Sequence, residues 1–304
     1  MAIDVGEDLL TPLATGITQG SIYGLLGLGL VLLYKSNRIF NFTQGEFGSV
    51  AAFAASALLA GRGFLPEMKG FFGYGFALLV GVLIGILLGL LVERLVVRPL
   101  FDQPKVTLVV ATAGVSLLLI SIQLFVIGVN GERVRPIIAG DAFSSGGLRV
   151  TWQQVIVVCV LGALAAASAL FFKKTRLGTA IIAVSQEPTA TSLVGISVNR
   201  GSAATWAMAG GLGAIAGLLL APTTIIAPGF MTSSTLIPAF TAAVLGGIAS
   251  LPGAFVGGIT IGIIEQFGSK IPADVVPGDN SVVVFVVLLA VLLVRPAGLR
   301  GKEA

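Results

Sequence analysis

Residues 71–97 read FFGYGFALLVGVLIGILLGLLVERLVV, and no Asp, Glu, Lys or Arg interrupts them before Glu93. Crossing a hydrocarbon core of about 30 Å takes roughly 20 helical residues at about 1.5 Å each. A strand of an outer-membrane barrel would alternate apolar and polar residues, and this run is apolar throughout. It predicts a membrane-spanning helix. Similar stretches lie on either side of it, at about 9–34, 41–60, 106–128, 152–172, 201–221, 231–250, 253–269 and 281–294. The expected fold class is all-α, a polytopic membrane helical bundle of about eight to nine transmembrane helices. The span at 41–60 opens with polar residues, and those at 231–250 and 253–269 are joined by a tight turn at Pro252 and Gly253. Broken or re-entrant helices fit these places, because irregular backbone is tolerated in a membrane where protein or water covers it.

Composition points the same way. Of 304 residues, 56% are hydrophobic and 11% charged, less than half the roughly 25% charge of a soluble domain. The mean hydropathy is +1.02. So few polar residues could not cover a water-soluble surface of this size. The 18 Lys and Arg outnumber the 14 Asp and Glu, but they are scattered between apolar spans, as membrane orientation requires rather than nucleic-acid binding. With nine spans, one set of loops holds twelve basic residues and the other six. Positive-inside bias then places the N-terminus outside and the C-terminus in the cytoplasm. The acidic start (Asp4, Glu7, Asp8) differs from the basic first region of a cleaved signal peptide. No linker divides the chain, so residues 1–304 are expected to form a single transmembrane domain. It includes a cytoplasmic loop at 173–200 and an outer loop at 129–151.

Glycines recur at four-residue spacing at Gly20 and Gly24, at Gly81, Gly85 and Gly89, at Gly213 and Gly217, and at Gly258 and Gly262. Such stripes let helix backbones approach closely in lipid, where hydrophobic exclusion does not drive association. Cys159 sits in an apolar run, where it is expected to act as a small buried hydrophobe. A charge at membrane depth is costly and marks a pathway or a pair. Glu93 is expected to pair with neighbouring Arg94. Glu265, in the outer half of its span, either faces a cavity or snorkels outward. Residues 41–46, NFTQGE, set Asn41, Thr43, Gln44 and Glu46 at the start of a span. Either Asn41 caps that helix with Glu46 bonded internally, or the segment lines a translocation path. Polarity alone leaves both open.

Other chemistries are excluded by what is missing. The chain has no histidine, no G-x-x-x-x-G-K-[ST] phosphate loop and no G-x-S-x-G elbow, so neither a Ser-His-Asp triad nor ATP binding by that route is available. An arginine-rich voltage sensor and a potassium-channel filter are also lacking. A transport pore or a secondary transporter remains.

Four segments in order carry a family resemblance: residues 16–34 (GITQGSIYGLLGLGLVLLY) with 41–46, then 176–196 (RLGTAIIAVSQEPTATSLVGI), 241–258 (TAAVLGGIASLPGAFVGG) followed by Glu265, and the closing Arg-Pro-Ala-Gly at 295–298. Together they resemble the LivH family of permeases from branched-chain amino acid ABC transporters. The resemblance implies a single permease domain, not itself an enzyme, in the cell membrane of a prokaryote. It implies as partners a second permease (LivM-like), two cytoplasmic ATPase subunits (LivG/LivF-like) that bind the ATP, and an external solute-binding protein. This chain would bind no cofactor of its own. Residues 176–196 look like the family's coupling loop, with Glu187, Pro188, Thr191, Leu193 and Gly195 as candidate ATPase-coupling residues. Pro188 suits a helix start and Gly195 a helix end. Gln19, Asn41, Gln44, Glu46 and Glu265 are the candidate substrate-pathway residues for a zwitterion with an apolar side chain. Two departures stand out. Ile182 occupies a position where the family commonly has arginine, and Gln44, where histidine is frequent, cannot take a proton. Urea or short-chain amide permeases share the pattern, and an ion-gradient-driven transporter is the alternative of a different class.

Overall fold

A computed structural model describes residues 9–61, 70–145, 148–186, 191, 193, 197–248, 250–270 and 281–294. The chain is an all-α polytopic membrane bundle. Its helices are α1 Thr11–Asn37, α2 Gln44–Ala60, α3 Gly70–Val92, α4 Lys105–Ile127, α5 Trp152–Lys174, α6 Arg176–Gln186, α7 Val198–Leu220, α8 Phe230–Ser234, α9 Leu236–Gly246, α10 Leu251–Gly268 and α11 Ser281–Val294. Among the described residues, six helices are long and apolar enough to cross a membrane: α1, α3 with its extension to Val97, α4, α5, α7 with its extension to Thr223, and α10. Four short strands, β1 Glu132–Arg133, β2 Asp141–Ser145, β3 Leu148–Thr151 and β4 Ile225–Ile226, form two antiparallel pairs, β1 with β4 and β2 with β3.

Hydropathy places the long spans to within a few residues, the broken helix that fits the run at 231–250 is present, and the turn after it is misplaced. The run at 231–250 is not one helix. It is broken at Thr235 into the 5-residue α8 and the 11-residue α9. The turn that follows lies around Gly247, in the left-handed region at φ +96°, and Ser250. Pro252 and Gly253 fall inside the first turn of α10, where Ser250 Oγ accepts the Gly253 N–H at 3.1 Å. Proline is suited to that position, since its missing N–H would have no helical partner there.

The chain divides into two compact units. One comprises Gly29–Val134 and Ala167–Ser233, and the other the remainder. In the first, α2, α3 and α7 pack on each other around Ala51, Ala55, Leu58, Ala77, Ala214 and Leu218. The glycine stripes sit where backbones touch. A Cβ on Gly85 would meet Ala214 and the Gly210 carbonyl, and one on Gly217 would meet the Gly48 backbone. In the second unit, the early part of α1 lies against α10 through the same device, with Gly20 and Gly24 facing Gly258. Tyr23, Ala242, Leu245, Ile261 and Val284 form its core. Three hydroxyls in the first half of α1 are satisfied locally. Thr15, Thr18 and Ser21 hydroxyls each donate to the carbonyl four residues earlier, at 3.0, 2.9 and 2.7 Å.

Glu93 does not pair with Arg94. A π-helical turn, Glu93–Val97, follows α3, and its i→i+5 bond (Arg98 N–H to the Glu93 carbonyl, 2.8 Å) brings residue 98 over residue 93. The Arg98 guanidinium reaches the Glu93 carboxylate, Nη2 at 3.1 Å from Oε2 and Nε at 3.4 Å from Oε1. Arg94, about 100° further round the helix, is exposed. Glu93 is buried, so Arg98→Ala should cost about 3 kcal/mol by stranding its charge. Glu93→Gln with Arg98→Met should recover most of that loss, as read by thermal unfolding of the purified protein. Cys159 differs from expectation too, since it lies on the exposed face of α5. Its thiol behaves as a small apolar group, which suits a face turned to lipid.

Candidate functional site

The polar segment before α2 is built as a turn and a set of crosspieces. Asn41 Oδ1 accepts the Thr43 N–H at 2.9 Å, closing an Asx turn two residues long instead of capping the helix itself. Thr43, the residue preceding α2, turns its hydroxyl to the Thr112 carbonyl of α4 at 2.9 Å. Gln44 Nε2 donates to the Ala209 carbonyl of α7 at 3.0 Å. Its amide fits only because Gly29 and Gly213 carry no side chain at that point. Thr43 and Gln44 therefore bind helix to helix, and Asn41 shapes the turn before them.

Glu46 points elsewhere. Its side chain is fully buried, and Oε2 accepts a hydrogen bond from Gln123 Nε2 on α4. The same Gln123 amide accepts the Gly229 N–H on Oε1 at 3.3 Å. The Thr232 hydroxyl borders the carboxylate, and Ser49 Oγ accepts the Met231 N–H at 3.3 Å. Phe53 meets Phe230 edge to face, with centroids 6.4 Å apart. Residues 229–232, which lead into the broken helix, are thus held by Glu46, Ser49 and Phe53 of α2 and by Gln123 of α4. No Lys or Arg pairs with Glu46 among the described residues.

Gln19 and Glu265 belong to the other compact unit. Gln19 Nε2 donates to the Tyr23 hydroxyl at 3.1 Å, one turn along α1. Glu265 is half-buried on α10. Gln123, Ser49 and Thr232 escaped the sequence reading. A signal for Gln123 was present in α4, whose buried residues are Leu108, Thr112, Ser116 and Gln123, a polar stripe on an otherwise apolar helix. No group of three His, Cys, Asp or Glu that could hold a metal occurs among the described residues. The cluster offers one buried carboxyl group, three amides and several hydroxyls, an arrangement suited to holding and positioning rather than bond-making.

The segment 173–200 begins with a sharp reversal. Thr175 Oγ1 accepts the Gly178 N–H at 3.0 Å and donates to the Phe171 carbonyl at 2.7 Å. Gly178 lies on the Phe171 and Phe172 backbone, where a side chain could not fit. Helix α6 then folds back on α7, burying Ile181 and Val184. This helix was not expected. Further on, Thr191 and Leu193 are both helical, Thr191 only 5% exposed and Leu193 83% exposed. Glu187, Pro188 and Gly195 lie outside the described residues.

The polar clasp beside a broken helix fits a membrane transport subunit, and comparison with known proteins decides which kind. Residues 13–293 match the family described as the permease component of branched-chain amino acid transport systems. The chain belongs to this family. Among curated members, it is 32% identical to the high-affinity branched-chain amino acid transport system permease protein BraD of Pseudomonas aeruginosa, over 96% of both chains. It is 29% identical to LivH of Escherichia coli K12, again over 96% of both. A solved inward-facing ABC transporter of metal-chelate type is 13% identical, with a TM-score of 0.49, covering 93% of this chain and 83% of that one. The family is one of pore subunits, and the colinear match makes the resemblance of the four sequence segments a property of nearly the whole chain.

Proposed function

We propose that this chain is half of the translocation pathway of an ATP-driven importer of branched-chain amino acids, completed by a second permease subunit. The observation that carries the reading is end-to-end similarity to a permease of that transport class at 32% identity. Two cytoplasmic ATPase subunits bind and hydrolyse the ATP, since the chain has no phosphate loop, and an external solute-binding protein delivers the substrate. Charge bias sets the orientation in the cell membrane of a prokaryote, with the N-terminus outside and the C-terminus in the cytoplasm. Residues 173–200 then face the cytoplasm. There Leu193 is exposed and Thr191 buried, a pairing that would let the segment meet an ATPase and transmit its closure as a rigid push.

A zwitterion with an aliphatic side chain needs a few polar groups along an apolar route. Glu46 is the buried carboxyl beside the broken helix, while Asn41 shapes the turn before α2 and Gln44 ties α2 to α7. Affinity purification of the tagged chain from its native membrane tests the assembly. ATPase subunits, a second permease and leucine uptake by the reconstituted complex are expected. A complex that carries urea and not leucine would overturn the substrate assignment.

A further inference from the structure

We propose that Gln123 is a positioning residue of the transport cycle, tying the Glu46 carboxylate on α2 to the backbone N–H of Gly229 ahead of α8. The inference rests on the transport reading above and adds to it a part that carries no charge and touches no substrate. One primary amide performs both tasks. Its Nε2 donates to Glu46 Oε2, and its Oε1 accepts from Gly229. In a chain of hydrogen bonds each bond polarises the next, so the amide's donation to Glu46 and its acceptance from Gly229 reinforce each other. Gln123 is 4% exposed, and water is not at hand to replace either bond.

The residue it holds is a pivot. Gly229 has φ +72°, a left-handed conformation that side-chain-bearing residues adopt at a cost, and its position packs on Ile120, one turn before Gln123 on α4. The Met231 N–H is held in turn by Ser49. Without Gln123, residues 229–232 would keep the Ser49 bond and lose the link to α4. The short helix α8 could then swing about Gly229, while Glu46 would be left without its amide donor. A clasp made of hydrogen bonds and not of an ion pair suits a joint that opens and closes, because no pair of opposite charges has to be separated when it parts.

Reversing the pair tests the idea. Gln123→Glu alone sets two buried carboxylates against each other. With Glu46→Gln added, the Gln amide donates to the new carboxylate, whose second oxygen still accepts from Gly229. In the full reconstituted complex, Q123E and the apolar Q123L should lower the maximal rate of leucine uptake about tenfold per assembled complex. KM should change little, and ATPase turnover should persist. The E46Q/Q123E double variant should regain most of the rate lost in Q123E. Where Q123E does not accumulate, recovered accumulation and uptake in the double variant count as the same result. A double variant no better than Q123E, or a Q123L complex with wild-type uptake per complex, overturns the inference. Failure of the wild-type complex to transport leucine overturns the underlying reading instead.

Discussion

Adding a single methyl group at Gly217 or Gly258 should remove most of the folded, assembled protein, while the same change at Gly114 or Gly162 should leave it intact. The difference lies in what the new atom meets. At Gly217 it meets the carbonyl, carbonyl carbon and Cα of Gly48, and at Gly258 the backbone of Gly24 and Gly20. None of these can rotate away as a side chain would, so a whole helix must move. Overpacking usually costs about 1–3 kcal/mol, and displacing a helix also sacrifices the contacts along its length, which in lipid are the main source of association. Around Gly114 and Gly162 there is nothing within 4 Å. Size-exclusion profiles and thermal unfolding of the four Gly→Ala variants read the outcome. Equal behaviour at all four would mean that the backbone contacts are not what hold α2 to α7 and α1 to α10.

Replacing Leu193 by Asp should abolish ATP-driven uptake without destabilising the chain. Leu193 is 83% exposed, so folding gains little from it, yet an apolar side chain on a segment proposed to face the ATPases would serve as an anchor for them. Truncating an apolar anchor at a protein interface costs about 2 kcal/mol or more, over tenfold in association, and a buried charge adds desolvation. The variant should unfold at the wild-type temperature, copurify with less ATPase and transport little. A cysteine at 193, in a chain with Cys159 replaced because it is itself exposed, should react with an impermeant maleimide in inside-out vesicles and not in intact cells. Labelling from outside would reverse the orientation and remove this segment from coupling.

Much of the fold was legible because lipid imposes one rule on every span. Runs such as 71–92 announce themselves by length alone, and glycine stripes announced the contacts. What escaped depended on local geometry that hydropathy does not see. A broken helix was allowed for at 231–250, but hydropathy did not place the break, which falls at Thr235 at the end of the polar cluster Thr232, Ser233, Ser234 and Thr235. Glu93 found Arg98 because the turn is π-helical, whereas adjacency in sequence had pointed to Arg94. Helix α6 is stable through packing on α7, and a sequence of mixed polarity between two spans reads as a loop. At the candidate site, the weight given to charges drew attention to Glu46 and away from Gln123. The neutral stripe Thr112, Ser116 and Gln123 was visible on α4, and nothing in its spacing named its partner across 77 residues of sequence.

Leucine uptake into proteoliposomes tests the central claim most directly, comparing the chain assembled with its ATPases, second permease and binding protein against the chain alone under an imposed ion gradient. The account predicts uptake in the first case only, dependent on ATP on the ATPase side and on binding protein on the other. Concentrative uptake by the chain alone, driven by the gradient, would contradict it.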